Sequence, residues 1–380
     1  MSELRKARAC LLEKPKGNFF IEEYPIPKLG NGQVLMQIEL CGVCGTDVHT
    51  WQSETQDLEY PISLGHEIVG VVADLGPGVT TDYVGKPLKI GDRIGVCPAI
   101  HCHQCYFCTI AKIPEKCIHW KTYGTFPNAD KEPHFSGGFG DYLFIHDPNT
   151  VFLKIDSTAE RGVFLEPMAV VVHALIHAQI KPGDTVVVQG VGPIGLLTVA
   201  AAKVCGASRL IALGRKNLRR ISLAKEMGAD CVSSVTEIPN LDDRIKYVFD
   251  NSLNGFGADV VLNTVGTPEG FQEAMRFVRD GGTVVEMGNF VDSGTYSFNP
   301  CKDLLEPGIK VIGSFDNEAE HFVRAIPLIN DERLPLQKLI SHRLPLEEVQ
   351  SVHNAIAHEN SMYDGKEIVK AVIDPSMRNV

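Results

Sequence analysis

The sequence predicts a two-domain α/β protein: a doubly wound parallel sheet joined to a mostly-β domain. Three observations carry this. The chain has 380 residues, more than the roughly 100–200 expected of one domain. Up to about residue 164 it shows short β-rich runs punctuated by Gly, Pro and Asp, with no long helix-period segment. Beyond that point apolar strands alternate with helical stretches, the pattern of a parallel sheet covered on both faces.

The elements follow in order. Runs at 33–40, 68–74, 93–96 and 142–145 read as strands of the first domain. Thr185-Val186-Val187-Val188-Gln189 is a continuous β-branched run, followed by a small apolar helix over 193–205 and a second strand at 209–213. Leu218, Ile221, Leu223, Ala224 and Met227 recur at helical spacing over 217–227, and Gly228 closes that helix. Strands at 231–234, 259–262, 283–287 and 310–314 continue the series. From about Asp316 come a helix, a short segment over 334–343, a second helix near 346–357 and a final strand at 367–372. The expected division is 1–164 with 316–380, and 165–315 as an insert.

Composition narrows the class. Apolar residues make up 44% and charged residues 22%, too apolar for a disordered chain. Lys and Arg number 36 against 47 Asp and Glu, a net −11, which argues against binding to nucleic acid or an anionic membrane. The N-terminus carries no secretory pattern. The most apolar stretch, 186–202, is broken by Gln189, Gly190, Gly192, Pro193 and Gly195 and is short for a bilayer span. The expected location is the cytoplasm, where the eleven cysteines stay thiols.

Gly190-Val191-Gly192-Pro193-Ile194-Gly195 fits G-x-G-x-x-G between a strand and a helix, the context that makes it a dinucleotide-binding turn of a Rossmann domain. The first Gly permits the turn, the second lets backbone approach a pyrophosphate, and the third lets helix and sheet pack closely. An NAD site places an acid after the second strand, whereas a nearby Arg accommodates a 2′-phosphate. Here the strand ends in Leu213-Gly214-Arg215-Lys216, with Arg219 and Arg220 following and no acid. That favours NADP over NAD.

Cys102, Cys105, Cys108 and Cys117 crowd into sixteen residues. Four thiolates so close can close a tetrahedral shell around zinc. A bacterial iron–sulfur run would place its fourth Cys three residues after the third and follow it with Pro, unlike the eight-residue gap here. A closed S₄ site leaves no open position, so this metal is structural. Elsewhere Cys44, His66 and Glu166 offer one thiolate, one imidazole and one carboxylate, the three ligands a catalytic zinc requires around one open position.

Taken together, Cys44-Gly45-Thr46-Asp47, Gly65-His66-Glu67, the four cysteines, Gly137-Gly138-Phe139-Gly140-Asp141-Tyr142, Leu165-Glu166-Pro167 and Gly190–Gly195 run in one order over nearly the whole chain. In this it resembles the zinc-dependent medium-chain dehydrogenase/reductases, on their polyol and threonine dehydrogenase side. The resemblance implies a GroES-like catalytic domain beside the Rossmann domain and one catalytic and one structural zinc. It implies a small alcohol or ketone substrate and a homodimer or homotetramer. It makes Cys44 and His66 catalytic-zinc ligands and places Glu166 where classical alcohol dehydrogenases carry a third cysteine. Glu67 becomes an outer or exchanging ligand, Thr46 the hydroxyl that passes the substrate proton, and His49 its relay to solvent. The substrate pocket is expected to include Trp51 and Phe126. Two departures stand out: one extra residue before Cys117, which lengthens a loop, and the missing acid after the second strand. Two other readings compete: a zinc-free enone or quinone reductase of the same superfamily, against which the Cys44/His66/Glu166 set speaks, and a zinc-ribbon binding module, against which the net charge and the hydride-transfer apparatus speak.

Overall fold

A computed structural model describes residues 5–55, 58–126, 128–215, 218–358 and 361–378. The chain divides into two units, Met1–Glu166 with Asn317–Asp331 and Ile340–Val380, and Pro167–Asp316 with Glu332–Leu339.

In the first unit Lys6–Leu12 (β1) and Phe19–Pro25 (β2) form an antiparallel ribbon. Val34–Gly42 (β3) leads into the seven-residue helix Gly45–Trp51 (α1). Glu67–Leu75 (β4) then runs antiparallel to β3 with Glu67 opposite Gly42. Arg93–Val96 (β5) extends the sheet, Tyr142–Ile145 (β6) pairs with β3, and Phe152–Lys154 (β7) with β5. Strands β3, β4, β5 and β6 lie within two residues of the expected runs, whereas β1, β2 and β7 match none of them. Helix α1 was not anticipated, because Gly-Thr-Asp-Val-His-Thr-Trp is too short to display an apolar period.

The helix Leu165–Ala178 (α2), whose first two residues belong to the first unit, precedes Thr185–Gln189 (β8) of the second, all five of whose residues are buried. Then come Pro193–Val204 (α3), Arg209–Gly214 (β9), Leu218–Glu226 (α4), Cys231–Ser234 (β10) and Leu241–Asn251 (α5). Ala258–Asn263 (β11), Pro268–Phe277 (α6), Val278–Glu286 (β12) and Lys310–Gly313 (β13) complete it. Every strand pair is parallel, in the order β10-β9-β8-β11-β12-β13. The order reverses direction beside β8, and that switch point is where such sheets bind ligands. Helix α2 escaped the sequence reading because Leu165–Ala178 is apolar on nearly every side and includes the β-branched run Val170–Val172. Helices α5 and α6 escaped it too, although Asn240 and Thr267 cap them through the amides of Asp243 and Gly270.

The tail returns to the first sheet. Ala319–Asn330 (α7), Ile340–Leu344 (β14) and Val349–His358 (α8) lead to Lys370–Ile373 (β15), which pairs antiparallel with β3 and parallel with β14. The strand expected at 367–372 is broken, since Lys366–Glu367 pairs instead with Met362–Tyr363. Residues 332–339, expected with the rest of the tail, group with the second unit: Leu336 and Leu339 are buried and Lys338 Nζ lies 2.6 Å from Glu226 Oε2. Among the described residues, no helix is long and apolar enough to cross a membrane.

Candidate metal centres and dinucleotide loop

The donor sulfurs of Cys102, Cys105, Cys108 and Cys117 all lie within 4.8 Å of one another, with Cys105 3.5 Å from Cys108 and 4.0 Å from Cys117. A tetrahedral shell with Zn–S bonds of about 2.3 Å requires sulfur separations of about 3.8 Å, so the four fit zinc. A π-turn, Phe107–Ala111, ends at Lys112 in the left-handed region and holds Cys108 toward the others. Backbone amides already point at the sulfurs: Cys102 N and His119 N donate to Cys117 Sγ at 3.3 and 3.4 Å. The amide of Cys108 is the main influence that draws the Cys105 thiol down to about 6, which favours the thiolate a metal binds.

The second cluster brings Cys44, His66 and Glu67 within the same 4.8 Å. Each donor is placed by a specific local device. Cys44 is the N-cap residue of α1, and its amide donates to Asp47 Oδ2 at 2.9 Å. Gly65 has φ +85, and a Cβ there would come within 2.8 Å of both Cys41 Sγ and Phe139. Only glycine makes the turn that sets His66 at the start of β4. The Gly65 amide donates to Asp47 Oδ1 at 3.1 Å, and His66 Nδ1 lies 3.2 Å from the same oxygen. Burial by itself would lower the His66 pKa, but the Asp47 charge and hydrogen bond, with Cys44 adding to them, carry it well above its usual value. Burial would likewise raise Asp47, and His66 outweighs it and holds the carboxyl low. An imidazole that donates Nδ1–H to a carboxylate presents Nε2 as its ligand atom.

Glu67 is almost fully buried, and Lys370 Nζ lies 2.6 and 2.5 Å from its two oxygens while also donating to Val43 O at 3.1 Å. Burial tends to lower the Lys370 pKa, but the Glu67 charge more than offsets this and keeps the lysine a cation. Gly42 leaves room for the carboxylate: a Cβ there would fall 1.9 Å from Glu67 Oε2. The supporting roles of Asp47 and Lys370 were not foreseen. The Cys-Gly-Thr-Asp run hinted at the first; nothing local signals the second.

Glu166 departs from expectation. It lies outside the Cys44, His66, Glu67 group, and its Oε1 accepts from Asn317 Nδ2 at 2.8 Å, a partner supplied by a distant segment of the first unit. Thr46 Oγ1 lies 3.6 Å from Cys44 Sγ. His49 stands one turn further on the same helix face, as i,i+3 spacing requires, with Nδ1 2.7 Å from Glu54 Oε2. Trp51 is a core residue, not a pocket wall: it is 6% exposed and its indole donates to Gly17 O at 2.9 Å. Phe126 packs on Tyr123 and His146.

The glycine loop links β8 to α3. Gly190 has φ +98, where a Cβ would fall 2.3 Å from Thr264 Oγ1; a Cβ on Gly195 would fall 2.0 Å from Gly190 O. Gly192, with φ −69, differs, since a Cβ there would meet only Arg220 Nη1 at 3.9 Å. Gly192 is the N-cap of the helix that Pro193 and Ile194 open, and its open side is where a pyrophosphate would approach the loop. Gly214 ends β9, and a Cβ there would come within 2.6 Å of Val191 Cγ2 and 2.7 Å of Ile221 Cδ1. Arg215 is exposed at this strand end; Lys216 lies outside the described residues.

A parallel sheet with a glycine loop at its switch point, in a chain that also gathers two metal-type donor clusters, defines a metal- and dinucleotide-dependent oxidoreductase. Residues 30–156 match the alcohol dehydrogenase GroES-like domain, and residues 193–331 the zinc-binding dehydrogenase domain. The chain is 30% identical over 333 residues to D-xylulose reductase A of Aspergillus niger, covering 87% of this chain and 88% of that one. An alcohol dehydrogenase from Thermotoga maritima superposes with a TM-score of 0.90 at 30% identity, over 98% of this chain and 100% of that one. A zinc-binding dehydrogenase from Sinorhizobium meliloti, solved bound to NADP, gives 0.83 at 29% over the same shares. The chain belongs to the zinc-containing medium-chain dehydrogenase/reductase family, and it is an NAD(P)-dependent alcohol dehydrogenase of that family.

Proposed function

We propose that this chain is a two-zinc, NADP-preferring dehydrogenase that interconverts a polyol or related secondary alcohol with its ketone, the first unit holding the zincs and the second the dinucleotide. The convergence of Cys44, His66 and Glu67, with Asp47 orienting the imidazole, carries the reading. These residues would hold a zinc whose chemistry is that of a Lewis acid favouring loss of the alcohol proton. The four-cysteine site would hold a second zinc with a structural role. Lys370 neutralises and orients Glu67. Thr46 accepts the alcohol proton and passes its own toward His49, while the carbinol hydrogen leaves as hydride for nicotinamide C4.

The polyol assignment is supported by the likeness to D-xylulose reductase. The NADP preference is supported by Arg215 at the end of β9 and by Arg220 beside Gly192. A homo-oligomer is supported by β13, a sheet edge with Val311 41% exposed and no described strand on its outer side. Eleven cysteines without a disulfide, five of them assigned to zinc, suit the cytoplasm. The test measures zinc per chain and kcat/KM for a panel of polyols and secondary alcohols with NADP⁺ and NAD⁺. Two zincs and a preference of at least about tenfold for NADP⁺ support the reading. Fewer than two zincs, or a preference for NAD⁺, would overturn the corresponding part of it.

A further inference from the structure

We infer that Glu54 is a positioning residue for proton transfer, fixing the His49 imidazole in the tautomer that leaves Nε2 free to accept a proton. This rests on His49 being the outer member of the relay and goes beyond it by naming what sets the ring. The geometry begins at the end of α1. Gln52 N donates to Val48 O at 2.9 Å and Ser53 N to Thr50 O at 3.1 Å, and Ser53 adopts φ +62. That left-handed residue folds the chain back, so that Glu54 N donates to His49 O at 2.8 Å. The same residue then places its Oε2 2.7 Å from His49 Nδ1.

Two hydrogen bonds, one through main chain and one through side chain, therefore join Glu54 to His49. A chance surface ion pair has only the second and is weakly held. A carboxylate is an acceptor only, so the shared proton resides on Nδ1, and in the neutral ring Nε2 carries a lone pair. Thr46 and His49 share one face of α1. The His49 and Glu54 side chains are 35% and 48% exposed, which suits a last station before solvent. When the alcohol proton reaches Thr46 Oγ1 and the threonine proton moves to His49 Nε2, one net proton is transferred. The imidazolium formed is offset by Glu54 until water takes the proton.

The test uses the zinc-loaded enzyme labelled with ¹⁵N-histidine, at about pH 8.5, two units above the ordinary imidazole range. Long-range ¹H–¹⁵N spectra, with His49→Gln identifying the signal, read the tautomer directly. We expect the Nδ1–H form in the parent protein and in Glu54→Gln, whose amide oxygen accepts the same bond. In Glu54→Ala the signal should shift toward Nε2–H and kcat should fall about 3- to 10-fold, the size of one hydrogen bond, with KM unchanged. His49→Ala should lower kcat at least as much. A parent-like tautomer and kcat in Glu54→Ala, while His49→Ala is impaired, overturns the role of Glu54 alone. An unimpaired His49→Ala overturns the relay itself.

Discussion

The glycine loop offers the sharpest test, because its second and third glycines should fail in opposite ways. Gly192 has φ −69 and ψ −179, ordinary extended backbone, and an added Cβ meets nothing nearer than Arg220 Nη1 at 3.9 Å. Replacing such a glycine with alanine stabilises a fold by about 0.4–1 kcal/mol through the unfolded chain. Gly192→Ala should therefore melt at or slightly above the parent temperature. Its methyl group, however, occupies the space through which the loop approaches a pyrophosphate. Losing one backbone hydrogen bond to a charged group costs about 1.5–3 kcal/mol, so the Kd for NADPH should rise about 10- to 150-fold. In Gly195→Ala the methyl would sit 2.0 Å from Gly190 O and 3.0 Å from Thr264 Oγ1. Helix and turn must separate, and overpacking of this kind costs about 1–3 kcal/mol or more. Titration of NADPH fluorescence and scanning calorimetry on both variants decide the matter. Parent-like affinity in Gly192→Ala, or Gly192→Ala unfolding while Gly195→Ala is neutral, would refute the division of roles.

Two further outcomes follow from the metal cluster. Asp47→Asn has one acceptor oxygen where the carboxylate serves Cys44 N, Gly65 N and His66 Nδ1. Zinc affinity at this site should fall about 10- to 100-fold in a chelator competition, with NADPH binding intact; unchanged affinity would show that His66 needs no orienting partner. Lys370→Met strands a buried Glu67 carboxylate, a loss of about 3–5 kcal/mol in denaturant unfolding. Most of it should return in Lys370→Met/Glu67→Gln, and a single-variant loss below about 1 kcal/mol would mean that the pair is solvent-screened.

The legible parts of the sequence share one physical property: they act over a few residues. Gly190, Gly192 and Gly195 are set by the turn from β8 into α3, and the four cysteines close on one another within sixteen residues. The β-branched run Thr185–Gln189 declares itself because both faces of a central parallel strand are buried. Helix α2 is silent because it is apolar on nearly every side, whereas α5 does carry Leu241, Ile245 and Val248 at helical spacing. Cys44, His66 and Glu67 could be nominated as donors from residue type and order, but their geometry was out of reach.

By itself, then, the sequence determined the fold class, the dinucleotide turn, the four-cysteine grouping and the nomination of Cys44 and His66, but not which carboxylate joins them. The tertiary structure decided which groups support and compensate those donors. Lys370 meets Glu67 across 303 residues, and Asn317 takes Glu166 aside across 151. It also placed Gly214, at the end of β9, against Val191 and Ile221. A buried charge must find its counter-charge wherever the folded chain brings one, and in this protein β15 brings Lys370 to β3 and β4 only after the chain has completed its second unit.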